Sequence, residues 1–188
     1  MGYLSLRELV KRSGQQTLGH FGATIFVVAS LLGLLSPLAF GQIQDFPVIK
    51  IISTGGTIAN TRQGRVSIER VIADIRNSFP ETRKVLDNVK FDITDLMRIG
   101  SQDFSSYEFL AIARAANKAL TDPRTKGVIV TQGTFSTEET AYFLHLLVRS
   151  NKPIVIVNSQ RLHKTLGNDG NKNFIDAVSV VLSPDAAG

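Results

Sequence analysis

From residue 48 onward, short apolar runs alternate with longer segments in which apolar residues recur every three or four positions. The short runs have the length and composition of strands that are buried on both faces. The longer segments have the spacing of helices with one buried face. The predicted strands are Val48–Ser53, Lys90–Met97, Gly127–Thr131 and Pro153–Val157.

Local signals mark where the intervening helices begin and end. Ser105 and Glu108 have the spacing of a capping box, in which each residue binds the backbone of the other. Acidic residues in a first helical turn are favoured by the helix dipole, and Glu138 and Glu139 follow such a start. The predicted helices start at Ser67, at Ser105, at Ser136 or Thr137, and at Asn173, and they end at Phe79, Leu120, Val148 and Leu182.

This alternation is typical of an α/β fold with a parallel sheet and helices on both faces. We predict a Rossmann-like or flavodoxin-like domain in which the strands lie in the order 2-1-3-4. In that order the first and third strands are neighbours. Ligands of such sheets bind beyond the carboxyl ends of the strands, where the strand order reverses.

The first 41 residues have the character of a secretory signal peptide rather than of this fold. Arg7, Lys11 and Arg12 precede the apolar stretch 21–40, and Ala39-Phe40-Gly41 has small residues where a signal peptidase cleaves. An uncleaved membrane anchor is the alternative, since the stretch approaches the ~20 residues that span a bilayer. We expect cleavage before Gln42, a periplasmic or secreted protein with no membrane contact afterwards, and one domain over 42–188.

Composition excludes several functional classes. Without residues 1–41 the chain has 18 Lys and Arg against 15 Asp and Glu, and this scattered excess does not predict nucleic-acid binding. The sequence contains no cysteine, which excludes disulfides, thiol catalysis and cysteine metal sites. Neither His145 nor His163 has metal-ligand spacing, and no phosphate- or dinucleotide-binding motif is present. We therefore expect no metal and no cofactor.

Two of the predicted strands end in glycine followed by threonine. The first strand leads into Thr54-Gly55-Gly56-Thr57, and the third leads into Gly133-Thr134. Glycines allow a sharp turn and a close approach of other groups to the backbone. Because the two strands are predicted neighbours, Thr57 and Thr134 are predicted to lie together at one edge of the sheet. Thr54 is interpreted as a structural residue of the turn.

Together these motifs resemble those of the bacterial L-asparaginase/glutaminase family. Thr-Gly-Gly-Thr-Ile-Ala at 54–59 matches one signature of that family, and Gly133-Thr134 with residues 138–144 matches most of the other. Residues 99–103 are similar to its substrate-carboxylate loop, and residues 169–178 to a fourth element. The resemblance covers roughly residues 47–188. It corresponds to part of the amino-terminal domain of such enzymes, and the carboxyl-terminal domain has no counterpart in this sequence.

The resemblance implies hydrolysis of the side-chain amide of asparagine or glutamine, through an acyl-enzyme and release of ammonia. It assigns the catalytic hydroxyls to Thr57 and Thr134. It also assigns substrate binding to Ser101 and Gln102, which hold the α-carboxylate, and to the glycines that precede the two threonines. Those glycines are Gly56 and Gly133. A homo-oligomer is a further possibility.

The sequence also departs from the family pattern. Phe135 stands where the family has an aspartate that binds the substrate's α-amino group, and Gln132 stands where a histidine is common. The loop 60–65 is short and has no tyrosine, and the family's lysine would fall after residue 188. We therefore expect weak activity, with a non-catalytic exported domain as the alternative. Tyr142 is interpreted as a core residue of its helix, and Arg161 as a solvated loop residue.

Overall fold

The computed structural model describes residues 46–187, so the predicted signal peptide lies outside the described residues. These residues form a four-stranded parallel sheet with helices on both faces. The strands of this sheet are β1 (Val48–Ser53), β4 (Lys90–Asp95), β5 (Thr125–Thr131) and β6 (Ile154–Val157), and β2 (Asn60–Thr61) and β3 (Gly64–Arg65) form a separate hairpin. The helices are α1 (Ile68–Ser78), α2 (Arg83–Leu86), α3 (Ser106–Leu120), α4 (Thr137–Leu147) and α5 (Gly170–Leu182).

The strand order is β4-β1-β5-β6, and each neighbouring pair is parallel. This arrangement confirms the α/β fold and the predicted order of the second, first, third and fourth strands. In the register, Ser53 at the end of β1 lies opposite Thr131 at the end of β5. The segments that follow these two strands therefore start at the same edge of the sheet.

Successive side chains of the central strands point to opposite faces of the sheet and divide the core into two layers. Ile51 and Ile129 are fully buried on the face that packs against α1 and α5. Ile52 and Val130 are fully buried on the opposite face, which packs against α3 and α4. Burial of each such side chain stabilises the fold by roughly 1.5–3 kcal/mol. Among residues 46–187, no helix is long and apolar enough to cross a membrane.

The predicted starts of α1 and α3 are confirmed, since Ser67 and Ser105 occupy their N-cap positions. The side chain of Ser67 accepts a hydrogen bond from the Arg70 backbone at 3.3 Å, and the capping box of Ser105 and Glu108 is present. Ser136 occupies the cap position of α4, but its side chain makes no capping hydrogen bond. The last helix, α5, begins at Gly170 rather than at the predicted residue 173.

The interpretation of Tyr142 as a core residue is wrong. Its side chain is 67% exposed, and Leu146, one turn further along α4, is 59% exposed. The helix instead buries Thr140 and Leu144. Because α4 is apolar on more than one side, its helical periodicity alone did not indicate which face meets the sheet.

Candidate active site

The Thr-Gly-Gly-Thr turn lies in direct backbone contact with the second signature. Gly56 has φ +85°, and a Cβ atom there would lie 2.3 Å from the carbonyl carbon of Gln132 and 2.4 Å from the backbone nitrogen of Gly133. Real Cβ atoms do not approach backbone atoms so closely, so only glycine fits at this position. The two signatures, 77 residues apart in sequence at Gly56 and Gly133, are thus held against each other.

Ser101 extends this line of contacts. Its hydroxyl would be 2.6 Å from a Cβ atom at Gly133, and it accepts a hydrogen bond from the backbone N–H of Phe135 at 3.1 Å. The residue is 2% exposed, at the start of a 3₁₀ turn over Ser101–Asp103. The structure therefore brings together Gly56, Gly133 and Ser101, three of the residues predicted for the site, beyond the carboxyl ends of β1 and β5.

The two predicted catalytic threonines follow the glycines that are in contact. Thr57 is half-buried and opens a 3₁₀ turn over Thr57–Ala59. Thr134 is half-buried, and its carbonyl oxygen accepts a hydrogen bond from the Thr137 hydroxyl at 3.0 Å. Both residues follow the edge at which β1 and β5 end. The substrate and catalytic roles of these residues stay predictions.

Thr54 is buried and has a structural role. Its hydroxyl and its backbone N–H both donate to the carbonyl oxygen of Thr131, each at 2.9 Å. These bonds fasten the start of the glycine turn to the end of β5. The interpretation of Thr54 as a structural residue is therefore confirmed.

Gln102 does not share the burial of Ser101. It is exposed, and its amide nitrogen donates to the carboxylate of Asp103 at 3.1 Å. Its side chain also lies over Gly100, where a Cβ atom would be 2.2 Å from the amide nitrogen. The loop that is predicted to bind the substrate carboxylate thus presents a buried hydroxyl, from Ser101, and an exposed amide, from Gln102.

The two departures from the family pattern differ in their surroundings. The Phe135 side chain is 75% exposed, although its backbone is held by Ser101. Gln132 is fully buried, and its amide nitrogen makes a long hydrogen bond of 3.3 Å to the carbonyl oxygen of Gly133. Its amide oxygen has no hydrogen-bond partner among the described residues. A phenyl ring at position 135 can neither accept a proton nor bind a cation through a carboxylate.

The sequence analysis missed Arg65, which stands beside the glycine turn. The loop 60–65 is a tight hairpin, and the Nε of Arg65 donates to the side-chain oxygen of Asn60 at 3.0 Å. One terminal nitrogen of the guanidinium is 3.0 Å from the position that a Cβ atom of Gly55 would occupy. The signal for the hairpin was Gly64, which has φ +122° and follows a two-residue turn.

A contact between the buried His163 and Asp74 anchors this hairpin. The backbone N–H of His163 donates to the Asn60 carbonyl at 2.8 Å, and the His163 ring nitrogen Nε2 lies 3.1 Å from the carboxylate of Asp74 on α1. Burial raises the pKa of Asp74, but hydrogen bonds from Lys164, His163 and Arg70 outweigh burial and hold the pKa below its ordinary value. A charged Asp74 therefore fixes the loop that holds the hairpin.

One groove among the described residues lies away from the site edge. A groove of about 580 Å³ lies between α4 and β6, and Leu144, His145 and Ile154 are among its lining residues. None of the predicted site residues lines it. In the described part of the chain, no three His, Asp or Glu side chains form a group that could hold a metal ion.

Comparisons with known proteins agree with the motifs. Residues 48–188 match the model of the family "Asparaginase, N-terminal". The chain is 32% identical over 157 residues to L-asparaginase 2 of Bacillus subtilis, covering 82% of this chain and 42% of that protein. It is 33% identical over 174 residues to the probable periplasmic L-asparaginase of Haemophilus influenzae, covering 88% and 47%.

A solved structure shares the fold. The probable cytoplasmic L-asparaginase of Campylobacter jejuni superposes with a TM-score of 0.65 at 30% identity, over 75% of this chain and 43% of that one. The chain spans less than half the length of the relatives that it matches. The family model covers most of the chain, and the motifs that carried the resemblance lie within it. The chain therefore belongs to the asparaginase family, over that family's amino-terminal domain.

Proposed function

We propose that this domain contributes the nucleophile of an L-asparaginase-type amidohydrolase, which releases ammonia from a small amino-acid amide such as asparagine or glutamine. The contact between Gly56 and Gly133 is the observation that carries the proposal. It holds the segments bearing Thr57 and Thr134 at one edge of the sheet, with Ser101 beside them. The names of the relatives support the reaction class.

The chemistry begins with attack by the Thr57 hydroxyl oxygen on the carbon of the substrate's carboxamide. The hydroxyl proton passes to an acceptor, the C–N bond breaks, and the nitrogen leaves with a proton as ammonia. Water then hydrolyses the resulting ester and yields the free acid and the threonine. A threonine hydroxyl needs an acceptor for its proton and donors for the oxyanion. Thr134 supplies a second hydroxyl at this edge.

Low activity is part of the proposal. Phe135 has no group that accepts a proton, whereas the resemblance places an aspartate at that position. Loss of one positioned proton-transfer group slows catalysis by roughly 10²–10⁴-fold. The same observation favours the second candidate function, a domain that retains the fold and binds a ligand without turnover.

Ammonia release from asparagine and glutamine by the purified chain tests the proposal. We expect slow release that is lost in Thr57→Ala and kept in Thr121→Ala, a matched change at an exposed threonine at the end of α3. Equal rates in Thr57→Ala and the unaltered chain would exclude Thr57 as the nucleophile. No release from any form would favour the non-catalytic alternative.

We also propose that the protein is exported. The charged leader and the apolar stretch 21–40 support this proposal. The relatives include one protein named as periplasmic and another named as cytoplasmic, so the family alone does not decide the compartment. Amino-terminal sequencing of the mature protein should begin at Gln42, and an intact Met1 on soluble protein would overturn the proposal.

A further inference from the structure

The segment that joins β6 to α5 contacts the turn that begins at Thr57 at two points. Within the segment, the backbone N–H of His163 donates to the carbonyl oxygen of Asn60 at 2.8 Å. At its end, a Cβ atom at Gly170 would lie 3.2 Å from the side chain of Ile58. Asn60 in turn donates its backbone N–H to the carbonyl oxygen of Thr57, which closes the 3₁₀ turn. A continuous line of hydrogen bonds therefore connects His163 to the residue that carries the candidate nucleophile.

The side chain of His163 fastens this segment to α1. The residue is 2% exposed, and its ring nitrogen Nε2 lies 3.1 Å from the carboxylate of Asp74. Because a charged carboxylate only accepts hydrogen bonds, Nε2 is the donor in this contact. The other ring nitrogen, Nδ1, is buried and has no hydrogen-bond partner among the described residues. The carboxylate of Asp74 is thus the partner that fixes the orientation of the ring.

The residue after His163 has a strained backbone and contacts the same carboxylate. Lys164 has φ +62°, in the left-handed region that few residues other than glycine adopt. Its ammonium group lies 2.9 Å from the carboxylate of Asp74. Backbone strain of this kind persists only where surrounding contacts hold it in place. We call the contacts of His163 and Lys164 with Asp74 the loop clamp.

The carboxylate of the loop clamp stands on a firmly packed helix. Val71 and Ile75, on either side of Asp74 in α1, are buried in the core. Arg70, one turn earlier in the helix, donates to the same carboxylate at 3.1 Å. The helix therefore provides a fixed point for a segment that has no secondary structure of its own between β6 and α5.

We infer that the loop clamp holds the turn that begins at Thr57 in one position, and that His163 and Asp74 are positioning residues for the Thr57 hydroxyl. Attack on an amide carbon needs the reacting atoms about 3–3.5 Å apart and aligned, and a misplacement of about 1 Å costs roughly 10²-fold in rate. Both residues act through the backbone of Asn60, and neither touches the reacting atoms. The kinetic part of the inference rests on the proposed amidohydrolase function, whereas the hold on the turn is measured without any reaction.

Amide hydrogen exchange of the purified chain, followed by NMR, tests the hold on the turn. We expect His163→Ala to speed exchange at the Asn60 amide at least about tenfold more than at the amide of Ile129, the effect of losing a hydrogen bond to a charged group. Ile129 is fully buried in β5 and reports global opening. His163→Gln retains an N–H donor for Asp74 and should keep the exchange rate of the unaltered chain. His145→Ala, at an exposed histidine of α4, is the matched control and should also leave this rate unchanged.

Ammonia release from asparagine tests the positioning role. His163→Ala should lower kcat about 10- to 100-fold, as expected for a displaced nucleophile. It should leave KM nearly unchanged, because the predicted carboxylate contacts of Ser101 and Gln102 belong to another loop. His163→Gln should restore most of kcat, which a loss of packing alone would not explain. Circular dichroism gives the folded fraction of each variant. Asp74→Asn should change exchange and kcat in the same direction as His163→Ala, and it decides the question if His163→Ala does not fold.

The possible outcomes separate this inference from the proposed function. Unchanged exchange at Asn60 in His163→Ala and Asp74→Asn would overturn the inference, as would a rise in KM without a loss of kcat. Ammonia release that depends on Thr57 but not on His163 would keep the proposed function and overturn the positioning role. Faster exchange at Asn60 in His163→Ala, with no ammonia from the unaltered chain, would support the hold on the turn and remove the proposed function.

Discussion

Replacement of Gly56 by alanine should destabilise the domain strongly, for two separable reasons. At φ +85° and ψ 171° the backbone lies in a region that is essentially confined to glycine, and a side chain there costs about 1–3 kcal/mol. The added methyl group would also overlap the backbone of Gln132 and Gly133 at 2.3–2.4 Å. Forced overpacking typically costs a further 1–3 kcal/mol.

Gly64 provides the matched control. It also has a positive φ, +122°, but a Cβ atom there has no neighbour within 4 Å. Gly64→Ala therefore introduces backbone strain without an overlap. In urea denaturation followed by circular dichroism, Gly56→Ala should lower the unfolding free energy by about 1–3 kcal/mol more than Gly64→Ala does. With a denaturant slope of about 1–3 kcal/mol per molar urea, this difference corresponds to a shift of the midpoint by roughly 1 M.

The comparison tests whether the two signatures are locked together by backbone contact. If Gly56→Ala is no more destabilising than Gly64→Ala, the contact between Gly56 and Gly133 is not rigid. The register of β1 and β5 would then be the remaining structural basis for placing Thr57 and Thr134 at one edge of the sheet, whatever the activity of the protein.

Two further predictions concern helix and turn electrostatics. Ser105→Ala removes half of the capping box with Glu108 and should cost about 0.5–2 kcal/mol in the same assay; an equal cost for the neighbouring Ser106→Ala would refute the cap. The side-chain hydrogen bond from Arg124 lowers the pKa of Asp122 to about 2, so carboxyl NMR should give a midpoint near that value. Because this folded-state pKa lies below the ordinary value of 3.8, the stability from the pair is present above about pH 4 and is lost as the pH falls through about 2. Arg124→Gln should move the midpoint toward 3.8, and an unchanged midpoint would assign the shift to another group.

The fold was predictable from the sequence because strand and helix patterns alternate without ambiguity. The ends of the elements depend on tertiary bonds that periodicity does not encode. Strand β4 stops at Asp95 rather than at Met97, since the N–H groups of Leu96 and Met97 both donate to the Ser53 carbonyl. Helix α5 starts at Gly170, three residues before the predicted start. The Asp169 carboxylate does not cap this helix, because it accepts hydrogen bonds from the backbone N–H groups of residues 160 and 161 instead.

The candidate site was predictable only in part. The motifs indicated Thr57, Thr134 and Ser101, because adjacent parallel strands end at one edge. Arg65 was not predicted, since its position depends on a hairpin whose carbonyl is held by the distant His163. No local pattern in the sequence reports a contact between residues that lie about a hundred positions apart.

The two borders of the described sheet differ in how they would meet another polypeptide. Strand β4 carries Lys90, Asp92 and Asp95, and charges of this kind discourage a foreign strand from extending a sheet. Strand β6 is Ile-Val-Ile-Val, half-exposed over Ile154–Ile156 and without a charged residue. A border of this composition is a template for intermolecular β-pairing. Self-association of isolated domains should therefore start at β6, and dilution should favour the monomer during refolding.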